Sequence, residues 1–121
     1  MSQRRSFLFL ISASPWQKTA AGAMDLLMTS AVLDQDVHLC FRGNGVLHLV
    51  KDQDGTALNL KTLAQQLPAL ELYGVTQYYA EGEALVRHGL QAEDLSLAVT
   101  VLDSESLAAL VSSCDEVEHW R

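Results

Sequence analysis

The chain has 121 residues, room for one domain with a single hydrophobic core, and no Pro/Gly/Ser-rich stretch divides it. Its 49% apolar and 19% charged content excludes a disordered polyelectrolyte, while eight basic against fifteen acidic residues, a net charge of −7, argue against direct nucleic-acid binding. Two cysteines without CxxC spacing exclude a disulfide-stapled scaffold and suit a reducing compartment.

Arg4-Arg5-Ser6-Phe7-Leu8 superficially matches a twin-arginine export signal, but the apolar run from Phe7 to Ile11 is shorter than the roughly 7–15 residues of a signal core. We read Ser6 to Ser12 instead as a first strand, continuously apolar and therefore buried on both faces of a parallel sheet. Nothing else approaches the roughly 20 apolar residues that span a bilayer, so the expectation is a soluble protein without a membrane segment.

Thr19 is placed to cap a helix from Ala20 to about Leu33, in which Asp25, Thr29 and Ser30 are the only polar side chains. Apolar groups surround nearly the whole of that cylinder, so one face on the sheet leaves another for a partner. Trp16, in the loop before it, and Met24, Leu27 and Met28 along it are the candidate interface residues there.

Val37 to Arg42 alternates as a second strand, and Gly43-Asn44-Gly45 closes it in a tight loop. Val46 to Val50 is short and apolar, a strand or a helical turn by periodicity alone, before the exposed turn Lys51 to Gly55. Leu60 to Leu72 carries a helical rhythm interrupted by Pro68. Val75 to Ala80 reads as a strand, whose Tyr78 and Tyr79 join the candidate interface, and Glu83 to His88 as a short helix stopped by Gly89. A strand over Leu97 to Leu102, an Asp103 or Ser104 cap, a helix over Leu107 to Val111 and a final strand over Asp115 to Trp120 complete the chain. Alternation of this kind predicts an α/β single domain over residues 1–121: a mostly parallel sheet of about five strands flanked by helices, with right-handed crossovers.

Ligands of such sheets gather outside the carboxyl ends of the strands, which directs attention to the loops Ser12–Thr19, Gly43–Gly45, Ala80–Glu83 and Asp103–Glu105. They contain no cysteine and no histidine. Ser12 to Gly22 lacks both GxGxxG and GxxxxGK[ST], so close helix packing explains Ala20-Ala21-Gly22 better than a phosphate does, and no cofactor is expected. Cys40, mid-strand, reads as a small core hydrophobe. Cys114, followed by Asp115 and Glu116, reads as a poorly activated thiol. The four histidines lack zinc spacing; His38 and His48 could meet across strands, but without a third ligand no metal site is expected. Glu81 and Glu83 flank Gly82 before a helix, where complementing the helix N-terminus is the better reading than acid/base chemistry.

Taken in order, the apolar first strand, Leu26 to Ala31, Val37 to Gly45 running into Val46-Leu47-His48-Leu49, Leu72-Tyr73-Gly74-Val75, Leu85 to Leu90 and the short ending Cys114 to Arg121 form a pattern. It resembles the DsrE/DsrF/DsrH sulfur-relay family, called TusD, TusC and TusB in its tRNA-thiolation branch, and within it the TusC/DsrF type. The resemblance implies a subunit that joins TusB- and TusD-like partners in a dimer of heterotrimers, passing persulfide sulfur toward 2-thiouridine in tRNA, or toward sulfur oxidation in related organisms. Homo-oligomers of the isolated chain are also conceivable. In the sulfur-carrying subunit of the family a reactive cysteine follows the third strand, and the matching position here is Glu81. The resemblance therefore implies a non-catalytic role. The alternative is a persulfide carrier that uses Cys114.

Overall fold

The computed structural model describes residues 5–12, 36–50, 77–96 and 98–120. The helices expected over Ala20 to Leu33 and Leu60 to Leu72 lie outside them, as do Trp16, Met24, Leu27 and Met28. Five strands form one sheet: β1 Ser6–Ile11, β2 Asp36–Phe41, β3 Gln77–Glu81, β4 Thr100–Leu102 and β5 Glu116–Trp120. Their order is β4-β3-β2-β1-β5, and every pairing is parallel. The expected fold class holds.

Period-two alternation divides the apolar residues of the central strands between two cores. Phe9 and Ile11 of β1 join Val37, Leu39 and Phe41 of β2 and Tyr78 and Ala80 of β3 on one face. Leu8, Leu10 and Cys40 point to the other. Trp120 of β5 is buried against Phe9, ring centroids 5.2 Å apart, so its role in this chain is to close the edge of the first core.

The covering helices follow from handedness. From β1 the chain steps through β2 and β3 to β4 in one direction, then recrosses the sheet to reach β5 beyond β1. Right-handed crossovers that travel in opposite directions put their helices on opposite faces. Helix α1, Gly82–Arg87, accordingly buries Ala84 and Leu85 in the first core, whereas α2, Ser104–Ser113, packs Leu107, Leu110 and Val111 on the second.

The punctuation residues act as expected. Asp103 caps α2, its carboxylate accepting a 2.7 Å bond from Ser106 N–H. Gly89, at φ 67°, ends α1 with a bond from its own N–H to the Val86 carbonyl and one from Leu90 N–H to the Leu85 carbonyl, a Schellman stop. Boundaries moved elsewhere. Residues 43–49 form one 3-10 helix, which makes Val46 to Leu49 helical, leaves Val50 extended and turns the expected tight loop into its first turn. β4 begins at Thr100, preceded by an unforeseen 3-10 turn at Ala92–Asp94.

Candidate functional site

Because all five strands run parallel, their carboxyl ends share one rim, formed by Ser12, Arg42-Gly43, Glu81-Gly82, Asp103 and Trp120. Backbone bonds lock part of it together. Ser12 N–H donates to the Trp120 carbonyl at 2.7 Å, and Arg42 N–H to the Ile11 carbonyl at 3.0 Å. The Ser12 hydroxyl also meets His119 Nε2 at 3.1 Å, a surface contact between β1 and β5.

Glu81 ends β3, beside the central strand β2. It occupies the N-cap position of α1 without a side-chain cap bond, so of the two glutamates expected to complement the helix N-terminus it is Glu83, in the first turn, that is placed to do so. Glu81 Oε1 instead accepts a 3.1 Å bond from Gly43 N–H, joining the tip of β3 to the start of the 3-10 helix after β2. Gly43 is at φ 53°, a left-handed conformation in which glycine turns that N–H without strain. Among the described residues the rim therefore carries carboxylate, imidazole, hydroxyl and guanidinium groups, and no thiol.

Both cysteines of the chain have definite places away from it. Cys40 is one residue below the tip of β2 but fully buried in the second core. Burial first, and then the Glu81 charge, push its thiol up to about 12, against the opposing pull of Arg42. Cys114 ends α2 and enters β5, at the amino ends of the strands and thus at the far side of the sheet from the rim. Its pKa is raised, by partial burial first; bonds from Ser113 and Ser6 oppose the shift, and Asp36 and Asp115 add to it. Raised pKa values mean less thiolate at neutral pH for both. In the native chain a thiol-alkylating reagent therefore labels Cys114, faster as pH rises, while Cys40, fully buried in the second core, reacts at least about tenfold more slowly because the reagent cannot reach it until the sheet opens. Peptide mass spectrometry reads this, and equal labelling before unfolding would contradict the assigned burial.

Near Cys114 lies a second polar group. His38 Nε2 meets Asp36 Oδ2 at 2.9 Å, and Tyr79 OH meets His38 Nδ1 at 3.3 Å, the two rings stacked at 5.9 Å. Partial burial raises the Tyr79 pKa, with Cys114, Asp36 and Cys40 contributing, so its phenol stays protonated. His48 is buried on the opposite side, against the Phe41 ring, so His38 and His48 do not converge. The two tyrosines also part company. Tyr78 is 7% exposed in the first core and has no surface to offer a partner; Tyr79 remains partly exposed over the second.

Comparison with known proteins gives this arrangement its context. The DsrE/DsrF-like family model matches residues 5–117. The chain belongs to the DsrE/DsrF-like family. It is 35% identical over 118 residues to the TusC homolog of Pseudomonas aeruginosa, covering 97% of this chain and 98% of that one. It is 26% identical over 128 residues to the intracellular sulfur oxidation protein DsrF of Allochromatium vinosum, covering 93% and 94%. The crystal structure of the E. coli ychN protein superposes with a TM-score of 0.80 at 15% identity, covering 98% of this chain and all of that one, a likeness of fold. Within that DsrE/DsrF-like frame, Glu81 is the rim residue at the position that the resemblance assigns to a reactive cysteine. The bond that holds it spans 38 positions and carried no local signal.

Proposed function

We propose that the chain is a non-catalytic, cytoplasmic subunit of a hetero-oligomeric sulfur-relay complex, supporting persulfide transfer for 2-thiouridine synthesis at the tRNA wobble position. Its partners in this reading are TusB- and TusD-like subunits in a dimer of heterotrimers, met through Trp16, Met24, Leu27, Met28 and the outward Tyr79. Two observations support it: family membership with TusC-type relatives, and a rim that carries Glu81 where a sulfur carrier needs a thiol. The second carries the argument, because the nucleophile of persulfide exchange is a thiolate, and neither Cys40 nor Cys114 is placed or activated to supply one there. The use of Cys114 as a carrier stands against its raised pKa and its place at the amino end of the sheet. Likeness to DsrF keeps one second reading in play, the same subunit role in sulfur oxidation.

Co-expression tests the assembly. Tagged chain is expected to retain both partners through gel filtration at micromolar concentration, with stoichiometry near one to one to one. Separate elution of the three would sink the proposal. No helix among the described residues is long and apolar enough to cross a membrane.

A further inference from the structure

The two edges of the sheet are built differently. β5 carries Glu116, Glu118 and His119, charged or polar groups of the kind that keep an open edge from pairing with another chain. β4, which among the described residues pairs only with β3, is three residues long and carries no charged side chain. From Ala98 to Leu102 its approach and strand read Ala-Val-Thr-Val-Leu, without charge, proline or glycine, and Val101 is 57% exposed. Beside it opens an apolar cavity of about 200 Å³ lined by Leu85, Ala92, Leu95, Ala98, Val99 and Val101. An uncharged, β-prone edge next to an apolar hollow is a template for another strand.

We infer that β4 is a self-association edge, where a second copy of this chain pairs antiparallel about a two-fold axis at Thr100 to continue the sheet. The sequence of the edge selects this occupant. About Thr100, Val99 falls opposite Val101 of the second copy, Ala98 opposite Leu102, and Thr100 opposite itself. Val101 is on the α1 face, registered with Ala80, so Val99 and Val101 of both copies form one apolar row there, beside the two cavities. Ala98, Thr100 and Leu102 line the other face, where a Thr–Thr pair is among the favourable cross-strand contacts. The nearest acid, Asp103, lies beyond the self-paired span Ala98–Leu102, so no carboxylates oppose each other within it even though each copy carries −7. An interface built from one patch on both copies is the isologous kind that closes at two subunits.

Sedimentation equilibrium of the purified chain alone tests this. The expected result is a two-copy mass at tens of micromolar. Thr100→Lys is expected to weaken association at least about tenfold by setting two ammonium groups face to face. Lysine is well tolerated on a solvent-exposed edge strand, and an unchanged far-UV spectrum confirms folding. In a Cys114→Ser background, Thr100→Cys is expected to form a cross-linked dimer on mild oxidation, because directly opposed residues lie at about 4.5–5.5 Å, within disulfide reach. Val117→Cys on β5 serves as the control and should not. A single-copy mass throughout overturns the inference, as does a dimer indifferent to Thr100→Lys that yields no Thr100→Cys cross-link. So does a monomer whose Thr100→Lys variant loses TusB- or TusD-like partners, which would assign the edge to a different chain. No sulfur transfer enters the measurement, so its failure is distinct from a failure of the sulfur-relay reading.

Discussion

Incubated with a cysteine desulfurase and cysteine, the wild-type chain is expected to keep its mass, whereas a Glu81→Cys variant gains one sulfur atom at position 81. The reason is chemical. Sulfur transfer requires an attacking thiolate: it displaces the donor's thiolate from the terminal sulfur of the donor persulfide, one S–S bond forming as another breaks with no net oxidation. In the wild type both thiols are held protonated, Cys40 up to about 12 by burial and the Glu81 charge, Cys114 raised by burial with Asp36 and Asp115 adding. Glu81→Cys puts a thiol on the open rim, against the N–H of Gly43 that now holds the carboxylate at 3.1 Å. The same substitution removes the nearest negative charge from that rim. Intact-mass spectrometry gives the answer: a sulfur gain on the wild type that Cys114→Ser abolishes would convert this subunit into a carrier and end the non-catalytic reading.

Legibility followed the range of the physics. The central strands were readable because burial on both faces demands unbroken apolar runs, and Leu8 to Ile11 satisfy it. Gly89 and Asp103 were readable because helix stops and caps are local hydrogen-bonding problems solved within a few residues. Tyr78 and Tyr79 were grouped as interface residues, although neighbours on a strand must face opposite sides, and the alternation itself separates them. Val46 to Val50 was ambiguous because five mostly apolar residues satisfy both a strand and a helical period. The carboxylate of Glu81 was assigned to its own helix, the nearest orphan donors in sequence. Only the β2–β3 pairing brings Gly43 N–H within reach and decides otherwise.

The same rim depends on one small residue, and Gly45→Ala is expected to cost about 3 kcal/mol or more of unfolding free energy. Gly45 is buried in the first turn of the 3-10 helix, where that helix crosses the tip of β1. A methyl group built there would overlap the Ile11 carbonyl, with Ser12 N only 3.2 Å away. Both obstacles are backbone, and that backbone is committed: the Ile11 carbonyl accepts from Arg42 N–H, and Ser12 N–H donates to Trp120. Relief therefore requires lifting the 3-10 helix off β1, which uncovers Val46 and Leu49 and carries Gly43 N–H away from Glu81. Gly43→Ala makes the informative contrast, since nothing lies within 4 Å of a methyl there and only the left-handed φ of 53° opposes it, at roughly 1–2 kcal/mol. Urea unfolding of both variants should rank Gly45→Ala well below Gly43→Ala in midpoint. The reverse order would mean that strain at φ, rather than the close passage of two backbones, sets the geometry of the rim.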